Sequence, residues 1–207
     1  MSVNLITKEA IASTLESLLL ERQFSKIPVK DVTEACGISR NTFYYHFKDK
    51  YELMNWILDD DMAKNVENYD DPMRIPETFV SMCGFMYRRK KFYYPCMQYD
   101  GQDSLYQHLT DFFFELWKLN IDMVYAASGF KLSEYEITVY AKMNAHALVG
   151  LMRDWIHAGM RDNYRSYFEQ VSEIFRVQSK MYAIMSENKQ ISKRGGATKN
   201  IGGIQAS

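Results

Sequence analysis

The chain contains 207 residues and carries a formal net charge of −1, with 47% hydrophobic and 25% charged residues. This composition is ordinary for a folded, water-soluble protein with room for a core, and the net charge is no evidence for nucleic-acid binding. The three widely spaced cysteines suit a reducing cytoplasm, and no apolar stretch approaches the roughly 18 residues of a membrane-spanning helix.

The first predicted element is an amphipathic helix over residues 7–21. Its apolar residues recur at helical spacing along one face, and Thr7 is placed to cap its first turn. We expect this helix to support the segment that follows it.

Residues 28–47 have the pattern of two short helices joined by a turn. Gly37 supplies the turn, because glycine adopts a left-handed backbone that other residues resist, and Ser39 is placed to cap the second helix. Phe43 and Phe47 lie four residues apart and therefore share the inward face of that helix. This order predicts a helix-turn-helix, the motif that places its second helix in the major groove of double-stranded DNA.

The outward face of the second helix is rich in groups that bind bases or phosphates. Arg40 and Asn41 are the candidates for reading bases, because arginine can bind guanine and asparagine can bind adenine through paired hydrogen bonds. Lys50 is expected to neutralise a phosphate. The candidate DNA contacts are Lys30, Ser39, Arg40, Asn41, Thr42, Tyr44, Tyr45, His46 and Lys50.

Each of these candidates also has a structural interpretation. Arg40 could be an ordinary surface charge, and one of Tyr44 and Tyr45 could pack between helices with only its hydroxyl exposed. His46 could form a hydrogen bond within its own domain instead of contacting a phosphate. The sequence leaves these alternatives open.

A fourth helix is predicted from an Asp49 cap to about Asn68. Pro72 and Pro76 then mark the boundary between the DNA-binding part and a second part. The predicted parts are a DNA-binding domain over 5–68, a helical domain for dimerisation and effector binding over 75–186, and a disordered tail over 187–207.

Helical spacing continues through the second part, without the alternation typical of strands. Pro95 and Gly101 are expected to break this pattern between residues 92 and 103, and Ser133 with Glu136 has the spacing of a capping box. The predicted helices cover 77–90, 104–128, 133–158 and about 162–186. The fold class is therefore predicted to be all-α, with about nine helices in all.

The run Thr42-Phe43-Tyr44-Tyr45-His46-Phe47, followed by Lys48 to Leu53, resembles the T-[LF]-Y-x-H-F-x-[SDN]-K-x-x-L run of the TetR family of bacterial regulators. Val29 to Ser39 resembles the same family's preceding D-V-x-x-x-A-G-V-S run. The resemblance implies a cytoplasmic transcriptional regulator that binds a palindromic DNA operator as a homodimer and associates with the nucleoid when bound. The family commonly has glycine at the position of Asn41, so we expect this protein's own sequence preference to show there.

A homodimer is also expected on physical grounds. Residues 1–50 contain seven Lys or Arg against six Asp or Glu, so one copy makes few phosphate contacts and a second copy must repeat them. Residues 145–155 resemble the A-x-A-x-x-G-L-x-x-x-W stretch of one C-terminal subgroup of the family, which implies a four-helix dimer interface. Its candidate residues are Ala147, Gly150, Leu151, Trp155, Val171, Ile174, Phe175 and Gln178. The alternative is that these faces are buried only within their own domain.

Aromatic and methionine side chains of the second part could line a pocket for a small apolar or amphipathic effector. The candidates are Phe79, Met82, Phe85, Met86, Tyr99, Phe113, Trp117, Tyr140 and Met143. They could equally fill a tight core. The C-terminal region also resembles the subgroup containing activators of dihydroxyacetone kinase operons, which implies a kinase-like partner protein as the signal and exposed aromatics near FYYPCMQY.

An enzyme is a remote alternative. The sequence has no glycine-rich phosphate loop, nucleophile elbow or metal-ligand spacing, and its histidines are isolated from one another. We therefore expect no catalytic residues, no metal and no cofactor. The expected partners are double-stranded DNA, a second copy of the chain, and a small-molecule or protein effector, without a membrane.

Overall fold

A computed structural model describes residues 3–127, 132–161 and 165–177, and within these ranges the chain forms nine helices and no strand. The predicted all-α fold is therefore confirmed. The helices are α1 (Val3–Leu19), α2 (Val29–Cys36), α3 (Arg40–His46), α4 (Lys50–Asn65), α5 (Ile75–Arg88), α6 (Lys90–Met97), α7 (Leu105–Ala127), α8 (Glu134–His157) and α9 over 165–177.

The turn between α2 and α3 forms as the sequence predicts. Gly37 has a φ of 71°, in the left-handed region, and ends α2. The Ser39 hydroxyl accepts a hydrogen bond from the Thr42 amide at 3.0 Å and so caps α3. Phe43 and Phe47 are buried, and they fix α3 against the core that α1 and α4 share.

Helix α4 links this N-terminal part to the rest of the chain. The Asp49 carboxylate accepts hydrogen bonds from the amides of Tyr51 and Glu52, each at 2.8 Å, as expected of the cap. The helix ends at Asn65, three residues earlier than predicted, and a 3₁₀ turn over Pro72–Arg74 leads into α5.

Two sequence predictions about helix boundaries are wrong. Thr7 is not a cap, because α1 already begins at Val3. The segment around Pro95 is not a break, because α6 runs through it. A proline inside a helix removes one backbone hydrogen bond, but Phe92, Tyr93, Cys96 and Met97 are buried, and this tertiary packing outweighs the local cost.

Helices α5 to α9 build the second part of the core, with α7 and α8 as its longest members. Ser133 and Glu136 form the predicted capping box at the start of α8. Gly159 follows the end of this helix with a φ of 89°. No helix in the described ranges combines the length and apolar character needed to cross a bilayer.

Candidate nucleic-acid interface

The N-terminal end of α3 presents its two predicted base-reading side chains to solvent. Arg40 and Asn41 are exposed and follow the Ser39 cap directly. The Thr42 hydroxyl lies 2.9 Å from that of Ser39, so the two hydroxyls share a hydrogen bond. The cap thus holds the first turn of α3 rigid while Arg40 and Asn41 stay available to a DNA groove.

The next three candidates, Tyr44, Tyr45 and His46, differ in their surroundings. Tyr45 and Tyr44 are both exposed, at 77% and 54%, and Tyr44 also packs edge-on against Phe43, with ring centroids 5.6 Å apart. His46 is half-buried, and its Nδ1 atom is buried without a hydrogen-bond partner among the described residues. The internal hydrogen bond considered as an alternative for His46 is therefore not formed through Nδ1.

Lys50 is placed differently from the expectation. The residue is 8% exposed, and its Nζ donates to the carbonyl oxygens of Phe24 and Ile27 at 2.8 Å each and of Ser25 at 3.2 Å. Burial lowers the pKa of the Lys50 ammonium. Through these hydrogen bonds Lys50 stabilises the loop between α1 and α2. It is not available to a phosphate, because the carbonyl oxygens already occupy its hydrogen-bond donors.

Three further cations lie around α3, and Lys30 is the one among the predicted DNA contacts. Lys30 is exposed on α2 and pairs with Glu34 at 3.6 Å, which leaves it accessible to a phosphate. Lys8 of α1 lies over the rings of Phe47 and Trp56, at 5.2 and 5.5 Å from their centroids. Lys48, just beyond α3, is also exposed and was not among the predicted DNA contacts.

The start of α4 contacts the loop before α7 through rings and charges. Tyr51 stacks on Tyr99 at a centroid distance of 4.7 Å, and Asn55 donates to the Asp103 carbonyl at 3.3 Å. Lys48 reaches the Asp103 carboxylate at 3.4 Å. We call the DNA-binding unit formed by α1 to α3 the reading head. The loop before α7 therefore touches the reading head just after α3, and it also touches α4.

A partly buried ionic cluster joins α4 to two other helices. Arg89 at the α5–α6 junction pairs with Asp61 of α4 and with Glu16 of α1, and the Tyr93 hydroxyl donates to Asp61. Burial, followed by the nearby Asp61 carboxylate, raises the pKa of Tyr93 well above its usual value. The cluster holds the far end of α4 by charge as well as by apolar packing.

The predicted dimer residues point in two directions. Ala147 and Ile174 face solvent, with Ile174 65% exposed, and a Cβ added to Gly150 would meet open space. Val171 and Phe175 are instead buried within the chain, so they do not form the outward stripe expected of them. The remaining residues of the predicted set are half-buried Leu151 and Trp155, and Gln178, which lies outside the described residues.

Trp155 makes its ring contacts inside the chain. Its ring centroid lies 5.1 Å from that of Phe168 and 6.4 Å from that of Tyr87. Trp155, Val171 and Phe175 point inward because they pack into the core formed by α5, α7 and α9. The sequence alone does not show how these helices pack against one another.

Most of the predicted effector residues lie in a packed core. Phe79 contacts Phe113 and Phe168, with ring centroids 6.0 and 5.1 Å apart, and Trp117 lies beside Phe175. The fully or nearly fully buried members are Phe79, Met82, Phe85, Met86, Phe113 and Trp117. Tyr99 and Tyr140 are half-buried, whereas Met143 is 61% exposed on α8 and does not line this core.

Two polar groups in this core lack partners. Thr78 Oγ1 and Trp117 Nε1 are buried, and neither forms a hydrogen bond with the described residues. In the segment FYYPCMQY, Phe92 and Tyr93 are buried and Tyr94 is 38% exposed. The segment therefore presents one aromatic ring to solvent at Tyr94, together with the half-buried Tyr99.

Comparison with protein families matches two parts of the chain. Residues 11–56 match the model described as bacterial regulatory proteins of the tetR family. Residues 74–177 match the model described as a transcriptional regulator C-terminal region. The first match contains the helix-turn-helix, and the second contains α5 to α9.

Individual relatives agree with these matches. The HTH-type dhaKLM operon transcriptional activator DhaS of Lactococcus lactis is 23% identical over 186 residues, which cover 88% of this chain and 95% of that protein. A solved structure of the dihydroxyacetone kinase operon activator DhaS covers 86% of this chain and 98% of its own, with 21% identity and a TM-score of 0.61. A TetR-family regulator from Syntrophomonas wolfei covers 87% and 96%, with 18% identity and a TM-score of 0.63.

Proposed function

The chain belongs to the TetR family of DNA-binding transcriptional regulators, and we propose that it acts as a homodimer on a palindromic operator, with its DNA affinity set through the C-terminal part. The family membership confirms the resemblance in the sequence and makes the protein a regulator and not an enzyme. The dimer, the palindrome and the control of affinity are the proposed steps.

The observation that carries the dimer is a row of exposed apolar side chains on α8 with one more on α9, which together we call the apolar stripe. Tyr135, Val139 and Met143 follow one another at four-residue spacing along α8, and all three are exposed. Ile174 on α9 is also exposed, and open space around Gly150 permits close helix approach. Large apolar side chains in such a row are typical of a surface that a partner covers.

DNA recognition requires the second copy. A single α3 offers only Arg40 and Asn41 as base readers, each worth about 1–3 kcal/mol of discrimination. Two copies related by a two-fold axis repeat these contacts in successive major grooves, about one or more helical turns apart. We therefore expect an inverted repeat in the operator.

Sedimentation and DNA binding together test this proposal. Ile174→Asp places a charge in the apolar stripe and should weaken dimerisation at least about 100-fold, since burying an unpaired charge costs several kcal/mol. Leu119→Asp on α7 is the matched control, because Leu119 is also exposed but is outside the stripe. Selection of random DNA by the purified protein should return inverted repeats. A monomeric wild type, or equal dimerisation of both variants, would contradict the proposed dimer.

The signal is proposed to be a small amphipathic ligand that enters the α5–α7–α9 core. Thr78 Oγ1 and Trp117 Nε1 support this idea, because each unsatisfied buried polar group costs about 1–3 kcal/mol and a ligand acceptor could satisfy it. Such a ligand would bind more tightly to a dimer whose two reading heads are wrongly spaced for DNA. It would then weaken DNA binding by the difference between its affinities for the wrongly and the correctly spaced dimer, typically about 1–3 kcal/mol. Helix α4 is the proposed connection between the core and the reading head.

A partner protein is the second candidate signal. It is supported by the close packing of Phe79, Phe113 and Phe168 and by the similarity to DhaS over most of the chain. Thr78→Val separates the two candidates, because it removes a polar group from the core and leaves the surface unchanged. If a small ligand acts, ligand-dependent release from DNA changes in Thr78→Val. If a kinase-like partner acts, its effect on DNA binding is the same for Thr78→Val and wild type.

A further inference from the structure

Three adjoining clefts surround the junction of α5 and α6, where Arg88, Arg89, Lys90 and Lys91 follow one another. Arg89 points inward and is paired with Asp61 and Glu16. All four cations line at least one of the clefts, but within the described ranges only Arg88, Lys90 and Lys91 do so without a carboxylate partner. Neither the proposed DNA contacts, nor the proposed dimer surface, nor the packing of the core explains why these cations lie together on one surface.

The three outward cations have no carboxylate partner among the described residues. Arg88 donates to the Asn65 side-chain oxygen at 3.1 Å, and Lys90 donates to the Gly159 carbonyl at 2.6 Å. Both acceptors are neutral, so the positive charge is held in place but not cancelled. Lys91 is exposed, and in the described parts of the chain its ammonium forms no ion pair.

The largest cleft has a volume of about 770 Å³ and an apolar wall. Leu19 at the end of α1 and Leu20 just after it line one part of it, and Tyr94 and Pro95 from α6 line another. Leu20 is 61% exposed, so its side chain is available to a ligand. This volume lies within the range of small-molecule sites, about 300–1,000 Å³, which combine apolar walls with a few charged groups.

Acidic groups are nearly excluded from this surface. Among the residues that line the three clefts, Glu16 is the single carboxylate, and it is paired with Arg89. Arg161 lines the second cleft and adds a further cation. The local field is therefore positive although the whole chain has a net charge of −1.

We propose that this cleft binds a small organic anion, with its carboxylate or phosphate between Arg88, Lys90 and Lys91 and its apolar part against Leu20, Tyr94 and Pro95. Arginine and lysine supply fixed donors to either acid group. The apolar wall then selects an acid with a hydrocarbon portion over inorganic phosphate. The site is separate from the core ligand site of the proposed function.

Calorimetric titration of the full chain with octyl phosphate tests this site. Octyl phosphate should bind at least about 10-fold more tightly than octanol, which lacks the charge, and than inorganic phosphate, which lacks the chain. A titration with octanoate shows which acid group the cleft prefers: tighter binding of octanoate than of octyl phosphate indicates a carboxylate site, and the reverse indicates a phosphate site. The double variant Arg88→Glu, Lys91→Glu should lose at least about 10-fold in octyl phosphate affinity, whereas Lys118→Glu on α7, outside the clefts, should bind as wild type does.

A variant of the apolar wall completes the test. Leu20→Ser removes apolar surface without adding charge, so it should weaken octyl phosphate binding and leave the weak binding of inorganic phosphate less affected, with the urea midpoint of each variant checking its fold. Equal affinity of wild type and Arg88→Glu, Lys91→Glu for octyl phosphate would overturn the proposal. Binding of octanol as tight as that of octyl phosphate, or tighter binding of a glutamate-rich peptide than of either acid, would also overturn it.

Discussion

Tyr51 of α4 stacks on Tyr99 in the loop before α7, with their ring centroids 4.7 Å apart and their planes at 25°. Phe24 lies edge-on to both rings, at 5.5 Å from Tyr51 and 6.0 Å from Tyr99. The three rings connect the loop after α1, the start of α4 and the second part of the chain. A change in the second part can therefore reach α4 through Tyr99.

Removing the Tyr99 ring should destabilise this junction. Tyr99→Ala loses two aromatic contacts, each worth about 0.5–1.5 kcal/mol, so the free energy of unfolding should fall by about 1–3 kcal/mol in urea titrations. Tyr99→Phe is the matched control, because it keeps the ring and loses only the hydroxyl, which donates to the Gln102 carbonyl at 3.2 Å and also hydrogen-bonds with Tyr51. Equal losses in both variants would show that the stack contributes nothing.

Substitutions of Gly101 and Tyr99 should have non-additive effects on the free energy of unfolding. A Cβ at Gly101 would lie 2.0 Å from the Tyr99 hydroxyl oxygen, so Gly101→Ala must displace the ring. The substitution should therefore lower stability in the wild type and have a smaller effect in Tyr99→Ala, where the obstructing ring is gone. Urea unfolding of the two single variants and the double variant measures this coupling, and strictly additive losses would contradict it.

Substitutions of Lys50 and Lys30 should distinguish a structural lysine from a DNA-binding one by their effects on stability. Lys50→Met leaves the carbonyls of Phe24 and Ile27 without their charged donor and should lower the free energy of unfolding by about 2–3 kcal/mol. Lys30→Met removes an exposed charge and should change stability by less than about 0.5 kcal/mol.

Salt dependence gives the complementary measurement for these two lysines. If Lys30 contacts a phosphate, Lys30→Met should reduce the slope of log affinity against log salt by about one for each lost contact. Lys50→Met should leave that slope unchanged at temperatures where the variant is folded. A reduced slope for Lys50→Met would restore the phosphate role that its buried position argues against.

The difference between Lys50 and its neighbours shows where sequence reasoning stops. Local rules predicted the left-handed Gly37, the Ser39 cap and the Asp49 cap, because each depends on atoms only a few residues apart. The environment of Lys50 depends on the carbonyls of Phe24 and Ile27, which the tertiary fold brings to it.

The same limit explains the other differences. Pro95 was expected to break a helix, yet packing of the buried Tyr93 and Cys96 keeps α6 continuous. Phe175 and Ile174 are both apolar and adjacent, and only the placement of α9 against Trp117 decides that Phe175 points inward and Ile174 outward. Helical periodicity identifies an apolar face, but it does not say which neighbour covers that face.

Breaking the partly buried ionic cluster should be costly, because its Asp61 carboxylate is buried. Arg89→Met removes the partner of Asp61, whose side chain is 7% exposed, and should lower the free energy of unfolding by about 3–5 kcal/mol. Arg176→Met is the control, because Arg176 forms exposed pairs with Glu77 and Glu173 worth less than about 1 kcal/mol each.

A second substitution distinguishes charge from packing in this cluster. Asp61→Asn neutralises the carboxylate that Arg89→Met leaves unpaired. The double variant should therefore lose less stability than the sum of the two single variants. Additive losses in thermal or urea unfolding would mean that Arg89 acts mainly through its hydrocarbon chain.

Stability should fall at alkaline pH because two phenols hold their protons more tightly in the folded state. Hydrogen bonding to Tyr99 raises the pKa of Tyr51 to about 12, and burial raises that of Tyr93. The unfolded chain releases these protons from about pH 10, and it releases those of the buried Cys83 and Cys96, whose pKa burial also raises, from about pH 8.5. The urea midpoint should therefore begin to fall at about pH 8.5 and fall further between about pH 10 and about pH 12. The lowered pKa of Lys50 acts in the opposite direction. Tyr51→Phe keeps Lys50 and should show a shallower fall, whereas an equal fall would exclude Tyr51 as a cause.

The three cysteines should differ sharply in reactivity. Cys83 and Cys96 are fully buried, and burial raises the pKa of both thiols, so the reactive thiolate is scarce and inaccessible. Cys36, at the end of α2, is half-buried. Iodoacetamide should therefore modify one site in the native protein and all three in denaturant, as counted by mass spectrometry. Cys36→Ser should abolish the native reaction. Rapid native modification of Cys96 would instead show that α6 opens away from α1, and this would contradict a stable contact between the two helices.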